Sequence, residues 1–80
     1  MNLTKYPLED ESKEILYTRL MEECSELAIE AMTISKACSK SLRFGFKKGD
    51  YETIEKTLNK LEAEMSDVQV IAKEVRKRAK

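Results

Sequence analysis

Acidic residues recur at helical spacing in two parts of the chain. Glu22, Glu23 and Glu26 lie together in the first half, and Glu64 and Asp67 lie three residues apart in the second. Side chains three or four apart share one face of a helix, where like charges repel. Two carboxylates about 4 Å apart repel by roughly 4 kcal/mol at an effective dielectric near 20. If two packed helices bring these groups together, the cluster requires a cation.

The residue types narrow the chemistry further. Clusters of carboxylate oxygens suit Mg²⁺ or Mn²⁺ rather than zinc. The chain contains no histidine, which excludes serine and cysteine triads and imidazole metal sites. The reactive groups that remain are carboxylates, lysines and tyrosines.

Basic residues between the acidic groups form a second candidate site. Lys36, Lys40 and Arg43 recur at helical spacing and predict one basic edge near a helix end. Arginine and lysine both suit phosphate oxygens. Cations near a helix C-terminus are also a common stabilising arrangement, so this alternative stays open.

The first half of the chain predicts one long helix. After a leader at residues 1–8, the helical region covers 9–43, because the acidic run at 9–11 favours a helix start and the apolar pattern continues for some thirty residues. Leu16 and Met21 are among the apolar residues that lie on other sides of this helix. Its main apolar stripe consists of Leu20, Cys24, Leu27, Ala31, Ile34 and Cys38.

A turn and a second helix follow. Gly45 and Gly49 mark a turn at 44–50, and Asp50 is a candidate N-cap for a helix at 51–79. Glu64 and Asp67 share a side of this helix with Ile71 and Lys60. The apolar stripe of this helix has an unbroken four-three rhythm and consists of Ile54, Leu58, Leu61, Met65, Val68, Ala72, Val75 and Ala79.

Length and composition predict a small cytoplasmic protein that associates with itself. Eighty residues make one domain with a marginal core. Cys24 and Cys38 would lie about 21 Å apart on one helix, too far for a disulfide, and free thiols fit a reducing cytoplasm. Fifteen basic and fifteen acidic residues cancel, which does not favour nucleic acid or a membrane surface as partner. No signal peptide or membrane span is predicted.

The ordered combination of these segments resembles a known family. Glu22, Glu23 and Glu26 are similar to the EExxE motif of the MazG-like all-α nucleoside triphosphate pyrophosphohydrolases, and Glu64 and Asp67 to its ExxD motif. Residues 40–45 are similar to a KxxRFG segment of phage and bacterial members. The resemblance covers about residues 20–75.

The resemblance implies a role for each candidate residue. Four carboxylates would hold Mg²⁺, and Glu22 would orient a ligand or water beside them. The basic edge with Phe44 would contact a nucleoside triphosphate, possibly a deoxynucleotide, which is hydrolysed to the monophosphate and pyrophosphate. The implied metal ligands are Glu23, Glu26, Glu64 and Asp67, and the implied substrate contacts are Lys36, Lys40, Arg43 and Phe44.

The resemblance also implies an assembly. Family members form dimers or dimers of dimers, so we expect helical hairpins that pair into four-helix bundles as a homo-oligomer. A competing hypothesis is a non-enzymatic helical interaction module with incidental acidic pairs. Aromatic residues near the turn, Phe44, Phe46 and Tyr51, either stack on a base or pack in the protein. A ferritin-like di-iron site is disfavoured, because such sites use histidine.

Overall fold

Two long α-helices form a hairpin. A computed structural model describes residues 8–79, in which a 3₁₀ turn at Leu8–Asp10 precedes helix α1, Lys13–Phe44, and helix α2, Asp50–Ala79. The two helices pack against each other, and the described residues contain no β-strand. The predicted all-α hairpin is therefore confirmed for this range. Most of the predicted leader, residues 1–7, lies outside it. Neither described helix is long and apolar enough to cross a membrane.

Helix α1 begins at Lys13, later than the start near residue 9 that the acidic run predicts. Ser12 has extended backbone, and its hydroxyl oxygen accepts a hydrogen bond from the backbone N–H of Ile15 at 3.2 Å. That bond satisfies one of the unpaired N–H groups of the first helical turn. The preceding 3₁₀ turn is attached to α2, because Nη2 of Arg78 donates to the carbonyl of Leu8 at 2.7 Å. The capping serine therefore determines where α1 begins.

Asp50 connects the two ends of the turn instead of capping α2. Its Oδ2 accepts hydrogen bonds from the backbone N–H of Lys47 at 2.8 Å and from the Ser41 hydroxyl at 2.9 Å. These two bonds, the Lys47 one foremost, hold the pKa of Asp50 below its usual value. The prediction that Asp50 is the N-cap of α2 is thus wrong. The first backbone hydrogen bond of α2 runs from the N–H of Thr53 to the carbonyl of Gly49 at 3.0 Å, so Asp50 is already the first residue of the helix.

Gly45 ends α1 in a conformation that other residues avoid. Its φ of 91° and ψ of 152° belong to a region used almost only by glycine. Replacing Gly45 with L-alanine should destabilise the hairpin by about 1–3 kcal/mol for this conformational reason, since an added Cβ would meet no atom within 4 Å. Thermal unfolding measures the loss. D-alanine at this position, introduced by chemical synthesis, should be tolerated, and an equal loss with both enantiomers would contradict this explanation.

The interhelical seam contains few apolar residues. Leu16 and Ile71 are the fully buried hydrophobic residues of the described chain, and Leu8, Leu20 and Val75 pack against them. Leu16 and Ile71 both lie outside the stripes predicted from the sequence. The apolar stripes flank the seam and remain partly exposed, so one hairpin alone buries only a small core.

Candidate metal centre

Three carboxyl groups meet in the seam. Glu23 and Glu26 approach from α1 and Glu64 from α2, and one oxygen from each lies within 4.8 Å of the other two. In octahedral Mg²⁺ coordination, neighbouring ligand oxygens lie about 3.0 Å apart and opposite ones about 4.2 Å apart. A small inward movement of the three side chains would therefore allow them to bind one ion.

Glu23 is the most unusual group of this cluster. Its side chain is 0% exposed, and within the described chain neither carboxyl oxygen meets a hydrogen-bond donor. Oε2 of Glu64 is also buried without a donor. Ionised carboxylates only accept hydrogen bonds, so these groups cannot satisfy one another while both are charged. Burying an uncompensated carboxylate costs several kcal/mol, and the cluster therefore favours either a proton or a cation.

The proton affinity of the cluster reflects this burial. Loss of solvent, a hydrogen bond to Glu64, and repulsion from Glu26, Glu64 and Asp67 together raise the pKa of Glu23 to about 7. Burial also raises the pKa of Glu64. In the absence of a cation, a proton on Glu23 would offset part of this repulsion and would form a hydrogen bond to Glu64. A metal ion would replace that proton.

Helical spacing explains why these glutamates enter the seam. Glu23 follows the buried Leu16 by seven residues, and Glu64 precedes the buried Ile71 by seven. Seven residues make two helical turns, so each glutamate lies on the same face as its buried partner. Glu23 was predicted as a metal ligand, but the depth of its burial was not predicted. The seven-residue relation to Leu16 indicates this burial only once Leu16 is known to lie in the seam.

The other predicted carboxylates lie at the edge of the cluster. Asp67 is half-buried and close enough that its charge raises the pKa of both Glu23 and Glu64. It is not part of the trio whose oxygens lie within 4.8 Å of one another. Glu22 is exposed and also lies outside that trio.

The basic edge forms a separate surface nearer the turn. Lys36, Lys40, Arg43 and Phe44 line one shallow depression, in which the Arg43 guanidinium lies 5.3 Å from the centre of the Phe44 ring. At 1.5 Å per residue, Lys36 and Lys40 lie about 15 and 21 Å along α1 from Glu26. Within one chain the structure therefore does not bring the basic edge into contact with the carboxyl groups.

A further lysine joins this surface. Lys47 lines a second depression at the turn together with Lys40 and Phe44. Lys47 is not among the predicted substrate contacts, although two consecutive lysines between the turn glycines are a visible signal. Phe46 and Tyr51 are 73% and 88% exposed, so neither packs within the hairpin.

The comparisons with known proteins add no assignment. The chain matches no protein-family model, no curated protein and no solved structure. The geometry of the seam is therefore the basis for any functional conclusion.

Proposed function

We propose that this chain is a Mg²⁺-dependent nucleoside triphosphate pyrophosphohydrolase of the MazG-like type. The observation that carries the proposal is the buried Glu23, whose two oxygens meet no donor in the described chain while two further carboxyl groups surround it. A protein that needed only stability would bury an apolar residue here. An uncompensated acidic cluster in the seam is instead expected where a bound cation offsets its cost.

Glu23, Glu26 and Glu64 would hold the ion, with Asp67 beside them as a fourth ligand. Mn²⁺ is an alternative ion, because it takes the same oxygen ligands. When bound, the ion would neutralise phosphate oxygens and increase the acidity of the attacking water. This is the chemistry that the donor set supports, since all its ligands are carboxylate oxygens.

The other candidate residues would act in the hydrolysis step itself. The oxygen of water bonds to the α-phosphorus, the bond to the bridging oxygen breaks, and pyrophosphate leaves in line. Glu22 would orient the water, and a carboxylate of this group would accept its proton, since the chain has no histidine. Because Lys36 and Lys40 lie about 15 and 21 Å along α1 from Glu26, the basic edge that binds the phosphate oxygens would come from a second copy of the chain.

The remaining candidates lie beside the two lysines on the same basic edge. Arg43 would bind phosphate oxygens beside the two lysines, and Phe44, 65% exposed, presents a ring on which a base can stack. This activity would belong to a homo-oligomer, a dimer or tetramer built from four-helix bundles. Two free thiols, Cys24 and Cys38, fit the reducing cytoplasm as its location.

The exposed apolar side chains favour a second candidate function, a helical interaction module. Met21, Leu42 and Phe46 are among the large hydrophobic residues that are more than half exposed. Such a module predicts no turnover of nucleotides and no response to metal. The enzyme assay therefore separates the two hypotheses.

The first test is product analysis. We expect the purified protein with Mg²⁺ to convert at least one ribo- or deoxynucleoside triphosphate to its monophosphate and pyrophosphate. Glu64→Gln should lower the rate by at least about 100-fold, because it removes charge from the group that stabilises the transition state. Glu62→Gln is the matched control, since Glu62 lies two residues away and is exposed.

Two results would contradict the proposal. One is the absence of turnover across all the triphosphates by a folded protein. The other is release of orthophosphate rather than pyrophosphate, which would indicate attack at the γ-phosphorus.

A further inference from the structure

Charge is distributed unevenly along the hairpin, although the whole chain is neutral. Residues 31–49 contain five of the fifteen basic residues and none of the fifteen acidic ones, so this segment carries +5 and the rest of the chain −5. Asp50 and Glu52, which lie in the first turn of α2, reduce the balance to +3. Salt screens charges more than about 10 Å apart, so a ligand here meets this local charge rather than the neutral total. We call residues 31–52 the turn end of the hairpin.

The five cations of the turn end face solvent. Each is exposed, and within the described residues none forms an ion pair with a carboxylate. The next acidic residue along the chain, Asp50, instead accepts hydrogen bonds from the Ser41 hydroxyl and the backbone N–H of Lys47. The side chains of the five cations are therefore available to an external anion. They are Lys36, Lys40, Arg43, Lys47 and Lys48.

Exposed aromatic rings lie among these cations. Phe44, Phe46 and Tyr51 are all exposed, and they include both phenylalanines of the chain. Phe44 and Lys40 together line both depressions at this end. The Arg43 guanidinium lies 5.3 Å from the centre of the Phe44 ring. Positive charge beside exposed rings is the arrangement that binds the phosphates and the unpaired bases of single-stranded nucleic acid.

The turn end offers more groups than one nucleotide needs. Lys36 and Arg43 lie about 10 Å apart along α1, which is the rise of about three stacked nucleotides. Lys47 and Lys48 continue the positive charge beyond the end of this helix. A nucleoside triphosphate has one base and one phosphate chain, so it leaves most of the rings unused. A longer strand repeats both groups along its length.

We propose that the turn end binds single-stranded nucleic acid, with the cations on its phosphates and the exposed rings on its bases. A duplex has the same phosphates but keeps its bases stacked inside, where the rings do not reach them. Hydroxyl groups of Ser35, Ser39 and Thr53 line the two depressions, and these suit phosphate and sugar rather than the acyl chains of a membrane. This binding goes beyond the proposed hydrolysis and requires no metal.

Fluorescence anisotropy with labelled oligonucleotides of about 12 residues tests the assignment. With a chelator present, the protein should bind single-stranded RNA or DNA with a dissociation constant on the order of 10 μM or lower at about 50 mM salt. Five phosphate contacts predict roughly a 100-fold loss of affinity between about 50 and 200 mM salt. Binding of either strand supports the assignment, and the tighter one identifies the preferred sugar. A duplex of the same sequence should bind more weakly.

Two pairs of lysines with the same spacing give a matched comparison. Lys36→Gln combined with Lys40→Gln removes two cations of the turn end and should weaken binding at least about tenfold at low salt. It should also reduce the slope of log affinity against log salt by about 1.4. Lys73→Gln combined with Lys77→Gln removes two exposed cations from the far end of α2, and it should leave both quantities nearly unchanged.

A second comparison tests the rings. Phe44→Leu keeps an apolar side chain but removes the flat surface on which a base stacks, so it should weaken binding of the single strand by at least about fivefold. Tyr17→Leu removes an exposed ring near the other end of α1 and should have no effect.

Acetylation of the native lysines provides a readout that needs no variant. When the single strand is bound, mass spectrometry should show slower acetylation of Lys36, Lys40 and Lys47. Acetylation of Lys73 and Lys77 should continue at its original rate. This measurement decides the question if a variant fails to fold.

Several outcomes would overturn the assignment. They are absence of binding at about 100 μM protein and low salt, equal weakening by the two lysine pairs, uniform acetylation, or tighter binding of the duplex with no effect of Phe44→Leu. Binding only to phosphatidylcholine vesicles that contain phosphatidylserine would instead make the turn end a membrane contact. None of these measurements involves hydrolysis of a triphosphate, so their failure is distinguishable from failure of the proposed function.

Discussion

Glutamine at position 23 should stabilise the metal-free protein at pH 8. The pKa of Glu23 is raised to about 7, so at pH 8 the native state holds a buried negative charge that the unfolded state carries in water. Glu23→Gln removes this charge without changing the side-chain shape, and its amide can donate to Glu64. A shift from 4.5 to about 7 corresponds to an upper bound of about 3 kcal/mol. Thermal unfolding should show a melting temperature higher by several degrees.

The pH dependence separates this cause from a general effect of substitution. At pH 5 the native Glu23 is protonated but the unfolded one is still partly ionised, so the stability difference between Glu23→Gln and the wild type should fall to about 1 kcal/mol or less. Glu62→Gln, which changes an exposed carboxylate, should leave the stability unchanged at both pH values. Destabilisation by Glu23→Gln at pH 8 would contradict a buried, uncompensated charge. A site that destabilises the empty protein is expected where function rather than stability selects the residue.

Magnesium should stabilise the wild-type protein, and more strongly as the pH rises. Binding to the native state alone adds about 2.7 kcal/mol when the ion concentration is 100 times the dissociation constant. The ion must displace the proton of Glu23, so its apparent affinity should fall about tenfold for each pH unit below 7. Melting temperatures with and without Mg²⁺ between pH 5.5 and 8 measure this dependence.

The metal-free protein should show the opposite trend. Because the native pKa of Glu23 lies above its unfolded value of 4.5, the native state binds more protons between these limits, and stability falls as the pH rises from about 4.5 to 7. As the pH rises, the stability of the metal-free protein therefore falls while the stabilisation that Mg²⁺ adds increases. Glu64→Gln should abolish the response to Mg²⁺ and Glu62→Gln should retain it. A response to Mg²⁺ that does not change with pH would show that the ion binds elsewhere.

Periodicity predicted the architecture, because long helices reveal themselves through many repeated positions. The four-three rhythm of the apolar residues located α2, and Gly45 and Gly49 located the turn. The start of α1 depends on a single hydrogen bond from the N–H of Ile15 to the Ser12 hydroxyl. The acidic run just before Ser12 is an equally good signal for a helix start, so the sequence alone did not choose between them. Local capping of this kind is decided by backbone geometry rather than by residue spacing.

Helical spacing also indicated which carboxylates are able to meet, but not how deeply they are buried. Spacing placed Glu23 and Glu26 on one helix and Glu64 on the other, and the structure brings these three together. It did not reveal that the apolar stripes flank the seam while Glu23 and Ile71 lie within it. That arrangement depends on how α1 is rotated about its axis, which a sequence with apolar residues on several faces leaves undetermined.

The most direct test of the metal centre is a titration with Mn²⁺ followed by electron paramagnetic resonance, in which the signal of the free ion decreases as it binds. We expect saturable binding at pH 8 that is lost in Glu23→Gln and in Glu64→Gln and retained in Glu62→Gln. Mg²⁺ should compete for the same site. Absence of binding at millimolar Mn²⁺, or binding that survives both substitutions in the seam, would show that the carboxyl cluster is not a metal centre.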